Sequence, residues 1–172
     1  MKEIYLHPCE LWFGSGQICL RTVLGSCVAV TLWHPGFAIG GMCHFMVSQS
    51  PKTDPEKRDG CYADRAMALL QAKIRSAGLV PEDFEAKLFG AGNMFTEQNF
   101  PAGSLPFKVQ DHNISAGREL AEKYGHRVVA EHLGGDGHRQ LIFDITTGLV
   151  WLRQGTVKEG ELMLYAETVQ VS

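Results

Sequence analysis

The sequence predicts an α+β fold, a layered β-sandwich of stacked mixed sheets flanked by helices. Short apolar and β-branched segments recur along the chain between glycine-rich turns, while only two segments have the periodicity of a helix. Runs of strands with a few inserted helices are typical of folds in which sheets stack and helices cover them. The 172 residues contain no internal repeat or linker, so we expect a single domain over residues 1–172.

The first predicted strand covers residues 27–33, where apolar and β-branched residues are typical of a buried strand. His34-Pro35-Gly36 then marks a turn, and residues 38–47 are expected to return as the partner strand of a hairpin. Residues 48–60 are polar and charged apart from their prolines, which predicts a mobile loop. We interpret this loop either as a solvated connector or as a lid over the hairpin.

Two helices are predicted in the middle of the chain. Residues 62–77 place an apolar stripe on one face and end at Gly78. Asn113 is expected to cap the second helix, which ends at Gly125. The remaining candidate strands cover residues 85–89, 127–133, 140–145, 149–153 and 161–169.

Composition excludes several classes of function. A net charge of −3 without a cluster of Lys and Arg argues against nucleic-acid binding. No apolar run approaches the ~18 residues of a membrane span, so we expect no membrane insertion. Five cysteines and no signal-peptide pattern at the start favour the cytoplasm, with free thiols. Metal-ligand spacings are absent, and adjacent Cys43 and His44 point to opposite faces of a strand, so we expect neither a metal nor another cofactor.

The segment Leu24-Gly25-Ser26-Cys27 is the main indication of chemistry. Seventeen residues later, Gly40-Gly41-Met42-Cys43-His44 brings a histidine onto the neighbouring strand. A cysteine beside a histidine suits acyl transfer, in which the thiolate attacks a carbonyl and the imidazole moves the proton. The alternative interpretation is that Cys27 is a small hydrophobic residue of the core, as free cysteines often are. In the catalytic interpretation, backbone N–H groups at Ser26 and Cys27 would hold the oxyanion, and Gly25 would let the backbone present them.

The order of five segments resembles the chemoreceptor glutamine deamidases of bacterial chemotaxis, the CheD family. These segments are residues 24–30, 40–47, 87–95, 134–139 and 143–148, and the likeness extends from about Leu20 to Arg153. Its most specific parts are Leu-Gly-Ser-Cys, Gly-Gly-x-x-His and Asn93-Met94-Phe95. The resemblance implies a β-sandwich flanked by helices, similar to the cytotoxic necrotizing factor deamidases.

The resemblance also implies roles for individual residues. Cys27 is expected to be the nucleophile and His44 its base. The family often has a threonine six residues before the cysteine, where this chain has Arg21. Either Thr22 orients His44 instead, or the role is filled differently. Gly25, Ser26, Asn93 and Arg139 are the expected substrate-binding or oxyanion residues.

The function implied is conversion of receptor glutamines to glutamates with release of ammonia. Its protein substrates would be methyl-accepting chemotaxis receptors. One alternative is a regulatory binding module that docks a CheC-type phosphatase or receptors, a role that can coexist with deamidation. Another is a cysteine hydrolase, such as a peptidase or amidase, that acts on a different acyl substrate.

Overall fold

The computed structural model describes residues 1–94, 109–155 and 160–165 of the chain. Its elements are β1 (Lys2–Tyr5), β2 (Leu11–Ser15), β3 (Ile18–Leu24), β4 (Val28–His34), β5 (Ile39–Phe45), α1 (Ala63–Ser76), β6 (Glu85–Gly90), α2 (Val109–Lys123), β7 (Arg127–Leu133), β8 (His138–Asp144), β9 (Val150–Gly155) and β10 (Gly160–Tyr165). Single 3₁₀ turns cover Asp59–Cys61 and Pro81–Asp83.

The strands form two five-stranded sheets. The outer sheet has the order β1-β3-β8-β9-β10, and the central sheet has the order β2-β5-β4-β6-β7. Two neighbouring pairs, β1 with β3 and β6 with β7, are parallel, while the other pairs are antiparallel. The sheets are therefore mixed, and the predicted α+β sandwich with two helices is confirmed.

The central sheet is buried on both faces. One face packs on α1 and α2 through a core that includes Val30, Phe45, Leu88 and Leu70. The other face packs on the outer sheet through a second core, whose main members are Leu20, Leu24, Ala29, Met42, Phe89, Leu141, Phe143, Val150 and Leu152. Burial on both faces explains why residues 28–32 of β4 are all buried rather than alternately buried and exposed.

The predicted hairpin is confirmed and fixes the position of the histidine strand. β4 and β5 are antiparallel, with Val28 opposite Phe45 and Ala29 opposite His44. Three residues join β3 of the outer sheet to β4 of the central sheet, namely Gly25, Ser26 and Cys27. We call these three residues the nucleophile corner. The predicted nucleophile therefore lies where the chain crosses between the sheets.

Several predicted boundaries are corrected by the structure. Asn113 does not cap the second helix, because α2 already runs from Val109 and the Asn113 side chain is buried. Ala77, the last residue of the predicted apolar stripe, lies beyond α1 and is exposed. The other predicted members of that stripe are buried, namely Ala63, Ala66, Met67, Leu70 and Ile74. The three N-terminal strands were not predicted. Phe95 and residues 166–169 of the predicted last strand lie outside the described residues.

The expectation that all five cysteines are free thiols is wrong for two of them. Cys9 and Cys61 form a disulfide, which leaves Cys19, Cys27 and Cys43 as free thiols. The bridge is possible because residues distant in sequence meet at the end of β5, where Cys9 N–H donates to the His44 carbonyl and Met46 N–H donates to the Cys61 carbonyl. Among the described residues, no helix is long and apolar enough to cross a membrane.

Candidate active site

The backbone of the nucleophile corner is held by hydrogen bonds to three consecutive carbonyl groups. The Gly25 carbonyl accepts from Gly92 N–H at 2.9 Å, and the Cys27 carbonyl accepts from Ala91 N–H at 2.7 Å. Between them, the Ser26 carbonyl accepts from Asn113 Nδ2 at 3.2 Å. In a trans peptide the N–H points away from the carbonyl of the same unit. The N–H groups of Ser26 and Cys27 are thus turned away from these donors and have a fixed orientation.

Glycines permit the close approach of the turn after β6 to this corner. Gly90 has a φ of +114°, and a Cβ there would collide with the Cys27 carbonyl oxygen. Gly25 is different, because its φ is not in the left-handed region. A Cβ on Gly25 would lie 3.3 Å from Met94 Cγ, so this glycine leaves room for the Met94 side chain.

His44 lies on the inner face of the central sheet and is only 1% exposed. Its Nδ1 is 2.7 Å from Thr22 Oγ1, and Thr22 Oγ1 also donates to the Leu6 carbonyl at 2.7 Å. A hydroxyl has one proton to donate. Because Thr22 gives that proton to Leu6, its oxygen must accept from His44 Nδ1–H. The structure thus brings Thr22 to His44 and assigns the proton of the neutral imidazole to Nδ1.

This tautomer leaves the lone pair of His44 on Nε2. Nε2 is buried and has no hydrogen-bond partner among the described residues. Ala29 is opposite His44, and Cys27 precedes Ala29 by two residues, so Cys27 and His44 face the same side of the central sheet. Cys27 is partly buried against the core between the sheets. An unpaired base therefore faces the region beside the predicted nucleophile.

Burial favours the neutral forms of both groups. It lowers the pKa of His44 to about 4 and raises the pKa of the Cys27 thiol above its ordinary value. No charged group is a cause of either shift. The free site therefore holds a thiol and a neutral imidazole, whereas a thiolate–imidazolium ion pair would need a stabilising charge.

Asn93 and Arg139 both bond to residues around the Gly134–Gly137 turn, which lies next to the corner. Asn93 N–H donates to the Gly135 carbonyl at 2.7 Å, and the exposed side chain of Asn93 is at the mouth of these turns. Arg139 is 1% exposed; its Nε donates to His132 Nδ1 at 2.8 Å and its Nη2 donates to the Gly134 carbonyl. A Cβ on Gly92 would lie 3.2 Å from Arg139 Nη1. Arg139 is thus placed beneath the turn that binds Gly25.

Asn113 belongs to the site, although the sequence analysis did not place it there. Its Nδ2 donates to the Ser26 carbonyl at 3.2 Å and to the Met46 carbonyl at 3.0 Å, so it joins the two sides of the site. The signal was a polar residue on the same helical face as Gly117, Leu120 and Ala121, all buried. A polar side chain on such a face requires buried partners.

A cavity of about 430 Å³ lies between α1, α2 and the segment after β5. Its lining includes the carboxylates of Asp64, Asp111 and Glu119 and the amine of Lys123, but neither Cys27 nor His44. The cavity is therefore a separate, mainly acidic surface.

Within the described parts of the chain, no group of three or more His, Cys, Asp or Glu side chains is arranged to hold a metal ion.

Comparison with known proteins gives a consistent result. The family described as CheD chemotactic sensory transduction matches residues 46–154. A probable chemoreceptor glutamine deamidase CheD 1 from Chromobacterium violaceum is 37% identical over 97% of this chain and 85% of its own length. A probable chemoreceptor glutamine deamidase CheD from Pseudomonas savastanoi pv. phaseolicola is 43% identical over 89% of this chain and 85% of its own length. On the strength of these matches, the chain belongs to the CheD family.

Proposed function

We propose that this protein deamidates glutamine side chains of methyl-accepting chemotaxis receptors. The relatives named above are described as probable chemoreceptor glutamine deamidases, and the geometry of the site suits that chemistry. The single observation that carries the proposal is the chain of bonds from the Leu6 carbonyl through Thr22 to His44 Nδ1. It leaves Nε2 as an acceptor on the side of the sheet that Cys27 faces.

In the proposed reaction the Cys27 sulfur attacks the carboxamide carbon of the glutamine while His44 Nε2 takes the thiol proton. His44 then gives this proton to the amide nitrogen, and ammonia leaves. The product of this half-reaction is a thioester on Cys27. Water, losing a proton to Nε2, then attacks the thioester. The bond from carbon to sulfur breaks, glutamate is released, and the Cys27 sulfur takes the proton from Nε2 to become the free thiol again. Overall, an amide and water become an acid and ammonia, without a cofactor.

The other predicted residues are proposed to assist this reaction. Backbone N–H groups of Ser26 and Cys27, turned away from their bound carbonyls, are proposed to hold the oxyanion. Thr22 is proposed to fix the ring and tautomer of His44. Asn93, exposed beside the corner, is proposed to contact the substrate, whereas buried Arg139 is proposed to support the turns around Gly92.

Mass spectrometry of a receptor cytoplasmic fragment tests the proposal directly. Incubation with the protein should add about 1 Da at specific glutamines, the mass change from amide to acid that this acyl-transfer chemistry implies. The Cys27→Ala variant should add nothing. Cys43→Ala is the matched control, because Cys43 is a free cysteine in the helix-side core. Deamidation by Cys27→Ala would contradict the mechanism, and no deamidation by the folded protein would contradict the function.

We also propose docking of a CheC-type phosphatase as a second role. The acidic cavity supports it, because it offers a concave surface whose lining does not include the proposed catalytic residues. Calorimetry with Cys27→Ala should show binding to such a phosphatase, and Glu119→Lys should weaken that binding while deamidation continues. Unchanged affinity in Glu119→Lys would contradict docking at this cavity.

A further inference from the structure

We propose that Asn113 is a positioning residue that orients the Cys27 N–H toward the oxyanion, an inference that rests on the proposed function. Asn113 lies on α2, on the helix side of the central sheet, and is fully buried. Its amide reaches the nucleophile corner from that side, opposite to the face on which His44 lies.

The identity of the bound atoms determines how the Asn113 amide is oriented. Both of its Nδ2 bonds end on carbonyl oxygens, one of Ser26 and one of Met46. Only the NH₂ end of an amide donates, so the two N–H groups must face these carbonyls and the amide cannot be reversed. Asn113 therefore fixes the plane of the Ser26–Cys27 peptide.

The direction of the Cys27 N–H follows from this plane. The structure has no cis peptide bonds among the described residues, so the Cys27 N–H is antiparallel to the Ser26 carbonyl. The carbonyl points to α2, and the N–H thus points to the inner face of the sheet, where His44 Nε2 lies. That is the side on which the carboxamide oxygen becomes negative when sulfur attacks its carbon.

The second bond of Asn113 reaches the segment after β5. Met46 follows His44 by two residues and directly follows β5. One amide therefore joins the residue before the nucleophile to the segment that leaves the base strand. Without it, the corner and the end of β5 lose a direct connection through α2.

The remaining polar atom of Asn113 has no partner. Oδ1 is buried and has no hydrogen-bond partner among the described residues. The Asn113 amide is therefore held only through its two Nδ2 bonds, and an apolar side chain at this position would leave the Ser26 and Met46 carbonyls without this donor. The role of Asn113 thus lies in these two bonds, one of which holds the corner.

Two reactions of Cys27 separate positioning from general damage. Acylation by p-nitrophenyl acetate passes through a tetrahedral oxyanion: sulfur bonds to the carbonyl carbon, His44 takes the thiol proton, and p-nitrophenolate leaves. Alkylation by iodoacetamide is a displacement at a saturated carbon, in which His44 again takes the thiol proton, sulfur bonds to the CH₂ group and iodide leaves. An oxyanion donor assists only the first reaction.

The experiment measures both rates in the wild type, Asn113→Ala and Asn113→Asp. We expect acylation to fall about tenfold or more in both variants, because an oxyanion donor is typically worth more than that. Alkylation should stay within about threefold of the wild type, since it forms no oxyanion. Asn113→Asp retains the size of the side chain, whereas Asn113→Ala buries no charge and supplies the readout if the buried carboxylate of Asn113→Asp prevents folding.

Two further measurements make the result specific. Leu120→Ala, a truncation in the core on the same helix, should lower the melting temperature but leave the ratio of the two rates unchanged. Acidification should partly restore acylation in Asn113→Asp, because a protonated carboxyl regains one donor. Unchanged acylation, or acylation and alkylation falling by the same factor, would overturn the inference. If the wild type is acylated normally but does not modify receptors, that result would contradict the proposed function and leave the role of Asn113 standing.

Discussion

At the residue scale, one hydroxyl decides what His44 can do. Thr22 donates to Leu6 and accepts from His44, so its oxygen fixes both the ring and the tautomer. Sequence reasoning placed Cys27 and His44 on neighbouring strands and named Thr22 as one of two possibilities for the third role. It had no means of choosing, because Thr22 lies on β3 of the outer sheet and its distance to His44 depends on how the sheets stack.

Replacing Thr22 tests this assignment. Thr22→Val retains the shape but leaves buried His44 Nδ1–H without an acceptor, so kcat for deamidation should fall at least about tenfold. Thr22→Ser retains the hydroxyl and should stay within a few-fold of the wild type. The rates are measured as ammonia release from a receptor fragment. Equal activity of the valine and serine variants would mean that the hydroxyl does not orient His44.

The pH dependence of deamidation follows from the low pKa of His44. This pKa is lowered from 6.5 to about 4 by burial, so Nε2 stays unprotonated at any pH above this value. The kcat/KM for deamidation should therefore show no decline as pH falls through 6.5 and should halve only near pH 4. The full pH profile is measured with a receptor fragment. A decline centred near 6.5 would instead indicate that a charge stabilises the imidazolium.

At the element scale, the site depends on one turn and one helix, which bind the nucleophile corner from two directions. The turn after β6 binds the carbonyls of Gly25 and Cys27, and α2 binds the carbonyl of Ser26. The β4–β5 hairpin and α1 were predicted from apolar pattern and turn residues, and they are confirmed. β1, β2 and β3 were missed; on β3, Arg21 and Thr22 interrupt the apolar run. The likeness to cytotoxic necrotizing factor deamidases stays a prediction.

The Gly90→Ala variant tests the contact between the β6 turn and the corner. An alanine there must adopt a φ of +114° and its Cβ would collide with the Cys27 carbonyl. We expect the free energy of unfolding to fall by roughly 3 kcal/mol or more, with loss of deamidation as Cys27 moves.

Gly78→Ala is the matched control for Gly90→Ala. Gly78 also has a positive φ, of +75°, but a Cβ there meets nothing within 4 Å. Its cost should be about 1–2 kcal/mol from the backbone alone, with activity retained. Urea unfolding and ammonia release are measured for both variants. If both lose the same stability and activity, the contact with Cys27 is unimportant.

At the scale of the whole molecule, the disulfide links the segment after β1 to the 3₁₀ turn that precedes α1. Free thiols were expected from the sequence, with no reason to pair Cys9 with Cys61. Their proximity depends on β5, because both segments bond to its end. The expected cytoplasmic location stays a prediction.

Reduction of the disulfide should destabilise the protein without changing its chemistry. The bridge joins residues 52 apart, and closure of such a loop is worth roughly 4 kcal/mol in the chain-entropy view. Urea unfolding with and without dithiothreitol measures the difference, and Cys9→Ser should be insensitive to the reductant. Thiol titration of the unfolded, unreduced protein should find the three free cysteines; five reactive thiols would show that the bridge is absent.

The crossing of the chain between the sheets also bears on when the protein becomes active during folding. The β4–β5 hairpin brings Cys27 and His44 to the same side from local sequence, but Thr22 arrives only when the outer sheet docks. A nascent or partly unfolded chain therefore has its thiol near an imidazole whose tautomer is not fixed. Full activity therefore requires the docking of the two sheets, so recovery of activity after denaturation should report that docking.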